Sequence, residues 1–455
     1  MRDLRLTGRE YAPREGWRTL LAWRRIGRSA PFHATPSSGC RSVPLRSVRG
    51  ALVNSEERRA ARRARREEKR TRKKAERTEN LTLETVADLN NLYRASKQAA
   101  KGVNWKASVQ NYHIHLLRNL SAAHEDLVNG RDIRRGFIRF DLWERGKLRH
   151  IAAVHFSERV IHKSLSQNAL VPAIAPSLVG SNTANLKGRG TDYAIQLMRL
   201  QLARHWRKHG SEGYILQVDF SDYFASIAHD PVKEIVRDSL SDQRLVNLTE
   251  QLIDSQGDVG LGLGSEPNQI LAVSLPSSID HFVQEMCYVE AYGRYMDDLY
   301  CIHTDKEWLH IVLELIEWKC RQLGITINRK KTRIVKLSHG FTFLKKKFSY
   351  SPTGRIVVRP SRDAITRQRR KLKKLKALYD AGEMTLEDVS QSYQSWRGSF
   401  VNRSKTKGSN HARVDAQRTV ESMDRLYKQL FSPENVAGGA VHSLHPETGS
   451  VKRHG

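Results

Sequence analysis

Apolar positions keep no period over residues 1–52, where Pro, Gly and Ser are scattered, and they nearly vanish over residues 56–77. That second stretch, EERRAARRARREEKRTRKKAER, holds twelve basic and five acidic residues. It predicts a solvated, helix-prone run without a core-facing stripe. From Leu81 onward apolar residues recur at helical spacing, and a globular fold begins. Between roughly 130 and 355, strand-like stretches alternate with helical ones. YILQVDF (214–220) predicts a short buried strand, and the interval from Asp230 to Leu240 an amphipathic helix. Residues 288–303 read as two strands meeting in a tight turn at Met296-Asp297-Asp298. This alternation predicts a mixed α+β architecture. Beyond it, Ile365, Leu372, Leu375 and Tyr379 share one helical stripe, and the other face carries Arg367, Arg369, Arg370, Lys371, Lys373 and Lys374. A second helix is expected next, with Thr385 as its N-cap and Val389, Tyr393 and Trp396 on one side.

Charge adds a partner to this picture. Lys and Arg number 78 against 48 Asp and Glu, a formal charge of +30 over 455 residues. A surplus of that size repels itself unless a polyanion neutralises it. A nucleic-acid partner is therefore the leading reading, ahead of a ribosome-associated or membrane-surface basic protein. The length suits more than one core-bearing domain and exceeds that of a simple binding module. Cys40, Cys287, Cys301 and Cys320 form no C-x-x-C pair and have no His at zinc spacing. They read as reduced thiols in a cytoplasmic protein. No apolar run approaches the roughly 18 residues of a membrane helix, so no membrane partner is expected. Residues 1–52 are Arg- and Ser-rich and acid-poor, faintly like an organellar presequence. Composition changes abruptly at Val53, and no Met lies between Met1 and Met198. The expectation is a disordered extension over 1–52, translation beginning near Val53, and a basic RNA- or DNA-binding arm over 53–80.

The central chemical signal is Tyr295-Met296-Asp297-Asp298, flanked by apolar residues. Two adjacent aspartates at a hairpin tip repel each other, and in most proteins such a pair is a solvated turn. It becomes informative beside a third carboxylate at the end of a neighbouring buried strand, and Asp219 in LQVDFSDYF offers one. Three clustered carboxylates oppose one another in a partly dry site. Divalent cations that prefer oxygen ligands remove the repulsion. Two such ions about 4 Å apart can activate a hydroxyl nucleophile and stabilise a leaving pyrophosphate.

In this order the motifs resemble those of bacterial reverse transcriptases, and the likeness runs over residues 130–430. LQVDFSDYFASIAHD is similar to the family's first catalytic strand, and YMDD to its signature at the second. The resemblance implies an α+β right-hand polymerase with fingers and palm over 81–355, a helical thumb over 356–432 and a disordered tail over 433–455. It implies Asp219, Asp297 and Asp298 as metal ligands and catalytic residues, with Phe220 beside them in the metal and nucleotide sites. Two Mg2+ ions are the implied cofactor, with Mn2+ as a substitute. Gly260-Leu261-Gly262-Leu263-Gly264 followed by Gln269 resembles the glycine-rich segment beneath template and nucleotide, so Gly264 and Gln269 join the substrate-binding set. Leu323-Gly324-Ile325, Asn328, Lys331 and Thr332 match the next motif, whose lysine, here Lys331, is implied to assist pyrophosphate departure. Phe343-Leu344-Lys345 looks like the primer-grip hairpin, and SWRGSF (395–400) like the thumb of short bacterial enzymes.

Upstream, Lys147-Leu148-Arg149, SERVIHKSL (157–165) and Lys187-Gly188-Arg189-Gly190 resemble the fingers motifs. Lys147, Arg149, Arg159 and Arg189 are thereby implied to hold the triphosphate, whose charge needs neutralising. Phe224 lies five positions after Asp219, where the family places the residue under the nucleotide sugar. A bulky aromatic there clashes with a 2′-hydroxyl, which favours dNTP over rNTP; the plain alternative is a core phenylalanine. Two departures stand out. Gly262 occupies a position where proline is common, and Glu266-Pro267-Asn268 precedes Gln269 where Ser is usual, which bears on fidelity and template preference.

The implied partners are an RNA template, a DNA or RNA primer and dNTPs, with a basic accessory protein or structured noncoding RNA possible. About fifty residues follow the thumb motif and hold no Cys- or His-rich nuclease cluster. This points to the short enzymes of diversity-generating retroelements, retrons and phage defence, and Gln269 leans toward the first. Alternatives are a protein-primed or template-independent defence polymerase, or a maturase-like RNA binder, although the last needs no intact carboxylates.

Overall fold

The computed structural model describes residues 45–144, 147–405 and 415–432. Expectations for residues 1–44 and 433–455 fall outside that range. Leu45–Thr78 is one 34-residue helix that runs through the composition change at Val53. Ala, Arg, Glu and Lys are strong helix formers. From Glu56 to Arg77 the helix has no apolar face to bury, and the described side chains from Glu57 to Glu76 are exposed.

Strand β1 (Phe137–Glu144) pairs with β2 (Lys147–Val154) antiparallel, from Phe137 opposite Val154 to Glu144 opposite Lys147. Ile138, Phe140 and Leu142 alternate along β1 and are about half exposed. The central sheet has the order β4–β5–β3–β6, with β3 at Tyr214–Asp219, β4 at Ala291–Tyr295, β5 at Asp298–His303 and β6 at Arg333–Lys336. β4 and β5 are buried on both faces, so neither shows the alternation of a half-exposed strand. Gly293 serves close packing here: a Cβ would lie 2.4 Å from the hydroxyl of Tyr300 on β5. The helix expected from Asp230 to Leu240 is found at His229–Ser239.

The chain divides into two compact units. The first comprises Met1–Lys187, Gln217–Cys301 and Glu307–Arg333. In it Thr82 and Asp88 cap the helices Leu83–Ala87 and Leu89–Ala100. Val86, Leu92, Ala95 and Ala99 bury their apolar stripe. The carbonyl of Val86 accepts a 2.6 Å bond from Ser164 on the helix Phe156–Leu165. Below the sheet, Trp308 of the helix Lys306–Gln322 donates its indole N–H to the Cys287 carbonyl at 2.9 Å. Cys287, Cys301 and Cys320 are free and buried.

The second unit comprises Gly188–Leu216, Ile302–Lys306 and Ile334–Gly455. Its sheet has the order β7–β8–β9: Phe341–Phe343, Lys346–Tyr350 and Ile356–Pro360. Tyr350 packs on Trp206 of the helix Thr191–His209, ring centroids 4.8 Å apart, and donates to the Leu202 carbonyl. The β7–β8 hairpin turns at Leu344 and Lys345, both at positive φ although neither is glycine. Arg362–Asp380 is the expected basic helix. Leu372 packs with Tyr393 and Met423, Leu375 packs with Val389 and Phe431, and all six basic side chains of the outer face are exposed. Thr385 accepts from the Asp388 N–H ahead of the next helix, Leu386–Lys405, as an N-cap should. A further helix, Gln417–Leu430, was not foreseen, although Val420, Met423 and Tyr427 already carry its stripe. It supplies Met423 to the core and Asp424, which accepts from Tyr393 at 2.6 Å and Arg397 at 3.0 Å.

Candidate active site

β3 ends at Asp219 because the chain then turns: Asp222 sits at φ 41 and opens the short helix Tyr223–Ser226. The segment Thr326–Asn328 runs beside this end. The Asn328 N–H donates to the Asp219 carbonyl, and the Ser221 N–H to the Thr326 carbonyl, both at 2.8 Å. That pairing delivers Lys331, whose ammonium lies 3.0 and 2.8 Å from the two carboxylate oxygens of Asp219. On the other side the Phe220 N–H donates to the Asp297 carbonyl at 3.3 Å. Asp297 follows Met296, which takes φ 56, and Asp298 opens β5. The three aspartates, Phe220 and Lys331 therefore meet where two strand ends and one loop converge. Phe220 needs a correction as a substrate residue. The residue is 2% exposed, and its ring packs in the core against Tyr223, centroids 5.3 Å apart.

Burial pushes the Asp298 carboxyl up to about 7, helped by the neighbouring carboxylates of Asp297 and Asp219. Asp298 also shares a hydrogen bond with Asp219. The bond to Asp219 holds the Lys331 ammonium above the usual lysine range. An all-oxygen donor set, one carboxyl holding a proton against its neighbours and one carboxylate already clasping a cation fit a hard divalent ion. The sign of the linkage is definite. The stability that Asp298 contributes is complete below its ordinary value of 3.8 and is lost as pH rises through about 7. Mg2+ should offset that loss where the carboxyl is ionised. Melting curves with 10 mM Mg2+ are expected to rise by about 3 °C or more at pH 8 and far less at pH 5.5. Equal shifts at both pH values would contradict the assignment.

The glycine-rich loop folds onto Phe224. The Leu261 N–H donates to the Phe224 carbonyl at 2.7 Å and the Gly260 N–H to the Ile227 carbonyl at 2.8 Å. Gly260 has φ 90, and a Cβ there would meet the Ala225 carbonyl at 2.9 Å. The Phe224 ring is half-buried, whereas Tyr223 and Phe220 beside it are buried. The Tyr223 hydroxyl, whose pKa burial raises above the usual phenol range, donates to the Ala272 carbonyl. Gly262 is held from both sides. Its N–H donates to Gln256 at 3.1 Å, and its carbonyl accepts from Asn268 at 3.0 Å. Proline at this position has no N–H to give Gln256, so the two departures from the family pattern form one hydrogen-bonded unit. Gln256 was not foreseen, because only folding brings it to the loop. Gly264 is exposed, and Gln269 is half-buried on the helix Glu266–Ser274.

The helix Phe156–Leu165 docks at the start of the Gln269 helix. Lys163 pairs with Glu266 at 2.7 Å, and buried His162 lies 3.3 Å from Ser265. Arg159 is exposed one turn before Lys163. Lys147 and Arg149 sit on β2 opposite Glu144 and Leu142. Arg189 is half-buried in the second unit, two residues before the helix Thr191–His209.

Residues 141–348 match the protein family described as reverse transcriptase (RNA-dependent DNA polymerase). These residues, a little under half of the chain, are similar to a reverse transcriptase domain. The fold is the α+β right-hand polymerase fold, and the matched family is one of RNA-directed DNA polymerases. The matched segment includes Asp219, Asp297, Asp298 and Lys331 together with every substrate-binding candidate; the N-terminal helices and the helices after β9 lie outside it. No curated protein matches the chain by sequence. Among solved structures, it is similar to apo telomerase from Candida tropicalis truncated from its C-terminal domain. That likeness has 15% identity and a TM-score of 0.37, and it covers 50% of this chain and 55% of that one. The match thus spans little more than half of that protein.

Proposed function

We propose that this protein synthesises DNA on an RNA template, joining dNTPs to a primer 3′-hydroxyl. The observation that carries the reading is the meeting of Asp219, Asp297 and Asp298 at one end of the sheet inside the matched segment, with Asp298 pushed up to about 7 by burial and its neighbours. Asp219, Asp297 and Asp298, with the main chain of Phe220, would hold Mg2+, or Mn2+ in its place. When bound, such ions activate the primer hydroxyl and neutralise charge on the triphosphate. Lys331, paired with Asp219 at 2.8 Å, would supply positive charge to a departing pyrophosphate. Phe224 lies under the sugar, while Gly264 and Gln269 carry the template and nucleotide above the helix Glu266–Ser274. Arg159, Lys147 and Arg149 neutralise the triphosphate.

The helix Leu45–Thr78 and the exposed basic face of Arg362–Asp380 are the surfaces offered to the nucleic-acid backbone. Among the described residues no helix is long and apolar enough to cross a membrane. A cytoplasmic enzyme of a bacterial retroelement fits these features, and Gln269 favours the diversity-generating kind. The test is extension of a labelled primer annealed to RNA, with dNTPs and Mg2+. Template-length cDNA is expected. Products of the same length without template point instead to template-independent synthesis, and absence of any product rejects the enzyme.

A further inference from the structure

Strand β4 reads Ala-Tyr-Gly-Arg-Tyr, which places a guanidinium in a strand with no exposed face. Arg294 and Asp280 are both fully buried. The pair is bidentate, Nε to Oδ1 and Nη2 to Oδ2, each at 2.7 Å. Tyr292 adds its hydroxyl to Oδ1 at 2.5 Å. The guanidinium has two further acceptors. Nη2 donates to the Val273 carbonyl at 2.8 Å, and Nη1 to the Met296 carbonyl at 2.9 Å. The main chain of Arg294 is pinned as well: its N–H donates to Ser181 at 3.0 Å, and its carbonyl accepts from the Thr183 N–H and hydroxyl, each at 2.8 Å.

We propose that Arg294 is a positioning residue for the metal-binding turn, holding Met296, and through it Asp297 and Asp298, against the Asp280 carboxylate and the end of the Gln269 helix. This rests on the polymerase reading. A buried ion pair is seldom more stable than apolar side chains of equal volume, so its retention in a core strand calls for a geometric use. The use lies next door. Met296 takes φ 56, a left-handed backbone that is unfavourable for a methionine and persists only where the surroundings dictate it. The guanidinium bonds the carbonyl of that residue. It also bonds Val273, near the C-terminal end of the helix that bears Gln269, so one planar group sets the turn and the helix in register. A lysine carries the charge but cannot span three acceptors in one plane.

Two full-length variants test this, Arg294→Lys and the paired R294M/D280N, which removes both charges at similar volume. Mn2+ binding is followed by electron paramagnetic resonance without template, and primer extension gives kcat and the template–primer KM. Both variants are expected to fold, bind Mn2+ about tenfold more weakly and lose about tenfold or more in kcat. The template–primer KM should stay within about twofold, because the bases and phosphates are held elsewhere. Wild-type Mn2+ affinity and kcat in either folded variant overturn the proposal. Failure of both to fold, or lower yield with unchanged kcat per folded molecule, assigns the pair to the fold and also overturns it. If the wild-type chain binds Mn2+ but extends no primer, the polymerase reading fails by itself, and weaker Mn2+ binding in the variants still supports the positioning role.

Discussion

Asp297→Ala is expected to abolish primer extension, with kcat falling at least about a thousandfold. The loss follows from charge. Neutralising the triphosphate and the attacking oxygen is worth several kcal/mol, and each 1.4 kcal/mol is about tenfold in rate. Asp297 adjoins the strained Met296, and its main-chain carbonyl accepts from the Phe220 N–H, a bond that alanine keeps. Removing the carboxylate also relieves repulsion: Asp298 is pushed up to about 7 partly by Asp297. The variant should therefore melt at or above the wild-type temperature in metal-free buffer at pH 8, and its affinity for primed RNA should be kept. Loss of turnover with unchanged or raised stability is the signature of a group that serves chemistry at the expense of the fold. A wild-type extension rate in this variant would reject the metal site outright.

The second large effect is expected from Phe224→Val. The Phe224 ring is half-buried while Phe220 and Tyr223 are buried, so the exposed half is available to a ligand. Its backbone is clamped by Leu261, which leaves the ring little room to yield to a 2′-hydroxyl. An overpacked contact of this kind costs about 1–3 kcal/mol. Relieving it should raise kcat/KM for rNTP relative to dNTP by roughly tenfold to a hundredfold. The ratio is read from single-nucleotide additions. The alternative, a core phenylalanine, predicts lower stability with unchanged sugar selectivity, so the two readings separate in one experiment.

Much of the fold was legible in the chain because it is encoded locally. The run YILQVDF could only be a buried strand, and the paired runs around Met296 could only be a hairpin, since the apolar stretches are too short for core helices. The stripe of Ile365, Leu372, Leu375 and Tyr379 has helical period, and its basic face is exposed as charge requires. The helix Gln417–Leu430 was missed because half of its stripe is Tyr427 and Met423 among polar residues, a weak signal until Tyr393 and Leu372 cover it. The boundary at Val53 was misleading for the opposite reason. Composition changes there, but Arg, Glu and Ala continue a helix without a core to fix its ends.

The sequence by itself determined which donors exist, their order, and the class of chemistry they serve, because strand and helix periods and short motifs are properties of neighbours. Tertiary structure alone decided the state of those donors. Lys331 clasps Asp219 across 112 positions, and Asp298 owes its acid constant to burial and to that same aspartate. Gln256 and Asn268 reach the Gly262 peptide, and Arg294 finds Asp280 fourteen positions away and turns its guanidinium on Met296. Burial, charge proximity and hydrogen-bond direction depend on what the folded chain brings within a few ångströms, and no local pattern of residues records that.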